Sequence, residues 1–162
     1  MTEHAPDQHS DSDHARVRFP PPLIHAVAVL AGLGLTWWRP LPLPGRWPLA
    51  VTGALLLLAA AGITLAAFRE FRRHGNPVPP HKPVNCLMCG GPFRYTRNPL
   101  YLTLALGHAG LGLLLDNGWL LLTLPPALLV VRYYVIAREE AYLRRRFGQA
   151  YLDYQARVRR WL

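Results

Sequence analysis

The chain has 162 residues, enough for one domain, and 51% of them are apolar. These apolar residues form long uninterrupted blocks, which excludes an ordinary soluble domain and predicts an all-α membrane protein. The formal net charge of +9 comes from basic residues at the borders of the blocks, with no nucleic-acid-binding motif, so we expect no nucleic-acid partner.

The leader, Met1 to Arg18, is rich in His, Asp and Ser and is predicted to be a disordered polar tail. Its three histidines are candidates for weak metal binding, although a solvated tail is the simpler interpretation: His4, His9 and His14. Because no small-residue cleavage site follows the first apolar block, we interpret that block as a retained span and not as a signal peptide. Residues 19–162 are then predicted to form a single membrane domain.

Four transmembrane helices are predicted, at about residues 19–38, 47–68, 99–115 and 118–137. The first two contain no Asp, Glu, Lys or Arg, and each is long enough to cross a hydrocarbon core of roughly 30 Å. The third is shorter and the fourth contains Arg132, so both are more convincing as a hairpin that turns at Asp116 to Gly118. Pro125 and Pro126 are expected to kink the fourth helix.

The loop between the second and third spans contains Asn76-Pro77-Val78-Pro79-Pro80, which cannot continue a helix. Pro99 fits the first turn of the third span, where its missing N–H costs nothing. A helix that begins there directs free backbone N–H groups and a partial positive charge toward Arg94, Arg97 and Asn98. This arrangement favours an anion such as a carboxylate.

The fourth span supplies the opposite charge. Arg132 and Glu139 are seven residues apart, which at 100° per residue places them on nearly the same helix face, with Glu140 displaced by about 100°. Ionisable groups at this depth are expected to face a polar interior, because exposure to lipid costs at least about 2.5 kcal/mol each. An anion-binding loop opposite an acidic pair predicts a ligand with both charges. The simpler alternative is that the arginines are headgroup anchors and that the glutamates pair with arginines of the tail.

After the fourth span, apolar residues recur at helical spacing between arginines: Leu143, Phe147, Tyr151, Tyr154 and Val158. This pattern predicts an amphipathic tail helix over residues 139–160, with Gly148 as a candidate break, on the membrane or capping the bundle. The basic residues there and in the middle loop favour anionic lipids as partners and place both termini in the cytoplasm, despite Arg39 and Arg46 in the first turn. A bacterial inner membrane fits this distribution.

The cysteines and the buried histidines have simple interpretations. Cys86 and Cys89 have the spacing of half a zinc site, but no second cysteine pair exists and His74 or His81 would have to complete it, so no metal is predicted. In a cytoplasmic loop the thiols are expected to stay reduced. His25 and His108 lie inside spans and are interpreted as hydrogen-bonded interior residues.

Two motifs resemble a known family. Gly91 to Tyr101, GPFRYTRNPLY, resembles the Arg-(His/Asn)-Pro-x-Tyr signature of the isoprenylcysteine carboxyl methyltransferase and phospholipid methyltransferase group. Glu139-Glu140-x-x-Leu143, followed by Phe147-Gly148-x-x-Tyr151-x-x-Tyr154, resembles its C-terminal signature. The resemblance covers about residues 72–162. It implies an integral membrane enzyme that takes S-adenosylmethionine from the cytoplasm and methylates a lipophilic or lipid acceptor from the bilayer.

The resemblance also implies a set of site residues. The cofactor-binding candidates are Asn85, Cys86, Leu87, Met88, Gly91, Phe93, Asn98, Pro99, Leu100, Tyr101, Glu139 and Glu140. The candidates for catalysis are Arg97, Glu139 and Arg132. Asn85 and Asn98 stand where the isoprenylcysteine branch more often has His, so the chain is more similar to the broad bacterial branch.

Two other functions remain open on the sequence. Sterol reductases have a similar Arg-His-Pro-x-Tyr-like element at the cytoplasmic end of a helix, which would make this chain a membrane reductase that uses NADPH. Such enzymes have more spans, and the Glu139-Glu140 pair has no evident role there. A non-enzymatic membrane protein with a basic, lipid-binding tail would explain the arginines but would leave the two motifs as coincidence.

Overall fold

The computed structural model describes residues 19–78 and 84–162. The helices in these ranges are α1 (Pro21–Trp38), α2 (Arg46–Arg73), a 3-10 turn (Gly91–Arg94), α3 (Pro99–Leu114), α4 (Gly118–Val130), a π-helical segment (Val131–Ile136), α5 (Ala137–Phe147) and α6 (Gln149–Arg157). The described residues form no strand. The predicted disordered leader with His4, His9 and His14, and the loop residue His81, lie outside the described residues.

Proline and glycine set the ends of the first two helices. Pro21 is the first residue of α1, where a missing N–H is tolerated. Helix α2 continues to Arg73, beyond the predicted end at residue 68, and Gly75 with a φ of 60° then ends it. The N–H of Asn76 donates to the carbonyl of Phe71 at 3.1 Å, so the last carbonyls of α2 are satisfied as the chain turns toward the Pro-rich loop.

The hairpin between α3 and α4 follows the sequence prediction. Pro99 is the first residue of α3, and the turn occupies the residues between Leu114 and Gly118. Asn117 caps α4, because its side-chain oxygen accepts from the N–H groups of Trp119 and Leu120 at 3.1 and 3.3 Å. Asp116 has a φ of 53°, a left-handed conformation that aspartate tolerates better than most residues.

The fourth helix is longer and less regular than predicted. Helices α4 and α5 are joined by the π-helical segment into one helical stretch from Gly118 to Phe147, so the helix continues past residue 137, where the span was predicted to end. The stretch continues through Pro125 and Pro126, and the wider π turns begin five residues after Pro126. The predicted tail helix over residues 139–160 is divided at Gly148, whose φ is 51°.

Within residues 19–78 and 84–162, three helical stretches are long and apolar enough to cross a membrane: Pro21–Trp38, Arg46–Arg73 and Gly118–Phe147. Helix α3 has 16 residues, or about 24 Å at 1.5 Å per residue. It is apolar but shorter than the roughly 20 residues that a crossing normally needs, so its crossing, and with it the total of four spans, stays a prediction.

Small residues and polar pairs fix how the helices pack. A methyl group added at Gly110 would lie 2.9 Å from the carbonyl oxygen of Gly53, so α2 and α3 touch through their backbones. His25 of α1 and His108 of α3 are buried, and their Nδ1 atoms lie 3.2 Å apart, as expected for hydrogen-bonded interior histidines. Helix α1 packs mainly on α4.

The two short turns meet at one end of the bundle. The N–H of Leu43, in the first turn, donates to Asp116 at 2.8 Å, and the N–H of Gly118 donates to the carbonyl of Leu41 at 2.8 Å. The long loop, the start of α1, the start of α3 and the last two helices therefore lie together at the opposite end.

Candidate functional site

A cavity of about 470 Å³ lies at the end of the bundle that carries the long loop. This volume falls in the range of roughly 300–1,000 Å³ that small-molecule sites occupy. Its polar lining residues include Arg97, Asn98, Tyr101, Glu139, Glu140, Tyr151 and Tyr154. The two motifs that are far apart in the sequence thus contribute to one cavity.

Asn76 holds the part of the loop that carries the cysteines. Its buried side-chain oxygen accepts from the N–H groups of Asn85 and Cys86 at 2.8 and 3.1 Å, and its amide donates to the carbonyl of Cys86 at 2.8 Å. Three bonds from one buried side chain fix this turn without regular secondary structure. Leu87 and Met88 are thereby positioned against the cavity.

Two tyrosines attach the loop to the C-terminal helices. The hydroxyl of Tyr142 accepts from the N–H of Val84 at 3.2 Å, and the hydroxyl of Tyr154 donates to the carbonyl of Phe93 at 2.7 Å. Burial raises the pKa of Tyr154, so this hydroxyl stays protonated and remains a donor. Phe93 is buried and its ring packs edge-on against Phe71 of α2, with centroids 5.8 Å apart.

The first acidic residue of the pair is bonded to α3. Tyr101 donates its hydroxyl to Glu139 Oε1 at 2.5 Å, a short bond of the kind that a carboxylate accepts. Both residues line the cavity. The bond joins the beginning of α3 to the beginning of α5 and fixes the direction of the Glu139 carboxylate.

The second acidic residue lies in a cluster of arginines. Glu140 is buried, and Arg160 donates to both of its oxygens, from Nε at 2.9 Å and from Nη2 at 2.8 Å. Arg97 Nη1 and Arg144 Nη2 lie 3.4 and 3.9 Å from the same carboxylate. The hydrogen bonds to Glu140 raise the pKa of Arg160, which keeps its charge.

Arg97 is the least satisfied of these arginines. Its side chain is only 9% exposed, yet its Nε and Nη1 have no hydrogen-bond partner among residues 19–78 and 84–162. Its backbone N–H donates to the carbonyl of Arg159 at 3.0 Å, which fixes the residue at the cavity. A buried guanidinium with unpaired N–H groups favours an anionic ligand.

The remaining wall of the cavity is apolar and reaches toward the membrane helices. It includes Pro20 to Pro22 at the start of α1, Thr64 and Phe68 of α2, and Leu104 of α3. Helices α1 and α2 make no extensive contact in the described part of the chain. Apolar residues therefore extend the site between these helices, away from the charged residues.

Comparison with known proteins decides the family. A sequence profile of the phospholipid methyltransferase family matches residues 49–150, more than half of the chain. The chain belongs to this family. An uncharacterized protein of Haemophilus influenzae is 41% identical over 63 residues, which cover 39% of this chain and all of that protein. No solved structure matches the chain significantly.

Members of the phospholipid methyltransferase family are membrane methyltransferases, in agreement with the three helices that are long and apolar enough to cross a membrane. The family match ends at residue 150, before Tyr151, Tyr154 and Arg160, although the first two line the cavity and the third is bonded to Glu140. The C-terminal segment thus adds to a site whose other polar residues lie within the match.

Most of the candidate residues come together in the cavity: Cys86, Leu87, Met88, Phe93, Arg97, Asn98, Pro99, Leu100, Tyr101, Glu139 and Glu140. Asn98 lines the cavity, but its amide is directed to the C-terminal segment, where it donates to the carbonyl of Arg160 at 2.9 Å. Cys86 is half-buried and Cys89 is exposed, and both are free thiols.

Three candidate residues do not line the cavity. Arg132 is exposed, and its guanidinium lies 5.5 Å from the ring centroid of Tyr133, so it does not face the cavity with Glu139 as predicted. The prediction assumed 100° per residue, whereas the π-helical segment between the two residues has wider turns and rotates them onto different faces. Asn85 is exposed and donates to the carbonyl of Gly75, and Gly91 provides a φ of 51° at the 3-10 turn.

Several residues of the site were not predicted. Asn76 was read only as part of a helix-breaking segment, although an Asn just after a helix is a common loop-fixing residue. Arg160 was counted as one of many basic tail residues, and its pairing with Glu140 depends on a contact between residues 20 positions apart. Tyr151 and Tyr154 were predicted as part of an apolar face and of the C-terminal signature, but not as residues of the site.

Proposed function

We propose that this protein transfers a methyl group from S-adenosylmethionine to a lipophilic or lipid acceptor at the cytoplasmic face of the membrane. The observation that carries the proposal is that one cavity holds a buried arginine with two nitrogens that lack hydrogen-bond partners in the described ranges and a half-buried carboxylate directed by Tyr101. S-adenosylmethionine carries a carboxylate and an ammonium on one end, which match these two charges.

The residues of the cavity fit the other parts of this ligand. Arg97 would hold the carboxylate and Glu139 the ammonium, through charge-assisted hydrogen bonds. Phe93 and Met88 offer aromatic and thioether contacts of the kind that adenine and a sulfonium favour. When bound, S-adenosylmethionine would supply the methyl group that the acceptor attacks.

The work left to the protein is positioning and exclusion of water. Methyl transfer by in-line displacement depends mainly on holding the acceptor atom in line with the methyl group. The short Tyr101–Glu139 bond and the three bonds of Asn76 fix the groups around the ligand. The apolar wall from α1, α2 and α3 would exclude water and accommodate a lipid chain.

The distribution of basic residues supports the cytoplasmic face. The end of α2, the long loop, α5 and the chain after α5 together carry most of the arginines, and the end of the bundle where the two short turns meet carries few. The site lies at the arginine-rich end. We place both termini in the cytoplasm and the protein in a bacterial inner membrane, with anionic lipids beside the tail.

Titration of the detergent-purified protein with S-adenosylmethionine and, separately, with NADPH tests the proposal. We expect micromolar binding of S-adenosylmethionine and none of NADPH. Glu139→Gln should weaken that binding about 10- to 100-fold, since hydrogen bonds to charged groups contribute about 1.5–3 kcal/mol. The matched control is Asp153→Asn, which removes an exposed carboxylate of α6 outside the cavity.

Binding of NADPH alone would instead support a membrane reductase, and binding of neither would favour a non-enzymatic lipid-binding protein. To identify the acceptor, membranes with and without the protein are incubated with methyl-labelled S-adenosylmethionine and their lipid extracts compared. We expect label in at least one organic-soluble product that is absent when Glu139→Gln replaces the wild type.

A further inference from the structure

The side chain of Arg160 occupies both oxygens of Glu140. Its Nε and Nη2 donate at 2.9 and 2.8 Å, the two-pronged geometry in which a guanidinium matches a carboxylate. The same carboxylate lies 3.4 Å from Arg97 Nη1, an ion-pair distance without a hydrogen bond. Glu140 is therefore bonded to Arg160 in preference to Arg97.

The backbone of Arg160 is fixed to the start of α3 as well. Its carbonyl accepts from the amide of Asn98 at 2.9 Å and from the hydroxyl of Thr96 at 3.2 Å. The preceding carbonyl, that of Arg159, accepts from the N–H of Arg97 at 3.0 Å. The chain after α6 thus joins the loop before α3, and this attachment does not depend on the Arg160 side chain.

The charges around Glu140 do not balance locally. Guanidinium groups of three arginines, Arg97, Arg144 and Arg160, lie within 4.0 Å of this one carboxylate. Arg97 is the most buried of the three, and two of its nitrogens lack partners in the described ranges. If Arg160 released Glu140, a shift of a few tenths of an ångström would bring Glu140 Oε1 into hydrogen-bonding distance of Arg97.

We infer that Arg160 is a positioning residue that holds Glu140 away from Arg97 and so keeps Arg97 available for the carboxylate of the cofactor. The inference rests on the proposed use of S-adenosylmethionine. It also assigns the two glutamates different roles: Glu140 is bonded to Arg160, and Glu139 is left to bind the ammonium group.

The test compares the affinities of two ligands for the full-length, detergent-purified protein, measured by calorimetry. The ligands are S-adenosylmethionine and its decarboxylated analogue, which keeps the ammonium and the sulfonium. The wild type should prefer S-adenosylmethionine by about tenfold or more, because only this ligand has a carboxylate for Arg97 to bind. Arg160→Met should lose most of this preference by weakening S-adenosylmethionine alone, since Glu140 then pairs with Arg97.

A general loss of structure would weaken both ligands alike, so the ratio of affinities isolates the positioning role. The double variant Arg160→Met/Glu140→Gln should regain part of the preference, because the competing charge is removed. Arg160→Lys cannot bind both oxygens of Glu140 in the same way, so its preference for S-adenosylmethionine should lie between those of the wild type and Arg160→Met. It replaces Arg160→Met in the test if that variant does not fold. Arg159→Met is the matched control, because Arg159 contacts Arg97 through its carbonyl and its side chain is exposed.

The outcomes separate the inference from the function. If the wild type binds and discriminates the two ligands while Arg160→Met and Arg160→Lys keep the full preference, the inference is overturned and the proposed function stands. If the wild type binds neither ligand, both are overturned. Collapse of the preference in Arg160→Met, with recovery in the double variant, supports the inference.

Discussion

Arg97 combines two properties that are costly together, burial and incomplete hydrogen bonding. Residues of this kind are retained where a ligand supplies the missing partners. Arg97→Met should therefore lower the affinity for S-adenosylmethionine about 10- to 100-fold while leaving the thermal stability of the free protein equal to or above that of the wild type. Binding titrations and unfolding midpoints without ligand measure the two effects.

The control for Arg97 is Arg94→Met, in the same loop but exposed and outside the cavity. Arg94→Met should change neither the affinity for S-adenosylmethionine nor the unfolding midpoint. A marked fall in the stability of Arg97→Met would mean that its ion pair with Glu140 serves the fold, and this would contradict the ligand-binding role.

At the residue scale, the sequence predicted most of the cavity lining, because the two motifs lie directly at helix ends where the fold brings them together. The partners of those residues were not predictable. Tyr101 could bond to Glu139 only once the hairpin brought α3 and α5 side by side, and Arg160 reached Glu140 by a turn after α6. The prediction that Arg132 shares a helix face with Glu139 was wrong, because a π-helical segment leaves no clear sign in the sequence.

At the element scale, the contact between α2 and α3 depends on glycine. The added methyl of Gly110→Ala would lie 2.9 Å from the carbonyl oxygen of Gly53 and 3.0 Å from Leu57, and the backbone on both sides leaves little room to adjust. We expect Gly110→Ala to destabilise the protein by about 1–3 kcal/mol through overpacking. Thermal unfolding in detergent, followed by circular dichroism, would report a lower midpoint.

Gly107→Ala is the matched control on the same helix, since an added methyl there meets no atom within 4 Å. It should leave the midpoint unchanged or raise it, because alanine favours a helix more than glycine does. Equal midpoints for the two variants would show that α2 and α3 are not in backbone contact.

The elements themselves were largely predictable, since apolar blocks and proline positions define them. The predicted ends were less accurate: α2 and the fourth helical stretch both continue past the last apolar residue of the predicted span. Charged residues can continue a helix beyond the membrane wherever water or a partner satisfies them. The pairing of Gly53 with Gly110 was not foreseen, because glycine spacing on one helix does not identify its partner.

At the scale of the whole molecule, the arrangement of the turns predicts which residues share a side of the membrane. Cys89 is exposed in the long loop, and Pro44 is exposed in the first short turn at the other end. In the Cys86→Ser background, a membrane-impermeant maleimide should label Cys89 in inverted vesicles and not in spheroplasts. Pro44→Cys, in a Cys86→Ser/Cys89→Ser background, should show the reverse pattern.

The same pattern of labelling for both positions would contradict the arrangement of turns, and reversed patterns would place the site outside the cytoplasm. The all-helical membrane class was predictable at this scale, because hydropathy reports on it directly, whereas the orientation from the basic residues stays a prediction. The cavity was not predictable, because its apolar wall is built from common residues on three helices, and these residues form no motif.

The backbone contact between α2 and α3 also limits how the site can admit a bulky molecule. Since these two helices are joined too closely to separate without cost, a wider passage has to come from displacement of α1, which packs on α4 and only slightly on the rest. For the proposed function, we expect the width of the lipid tails that the site accepts to be set by how far α1 can tilt. The charged residues that are proposed to hold the methyl donor should not set it.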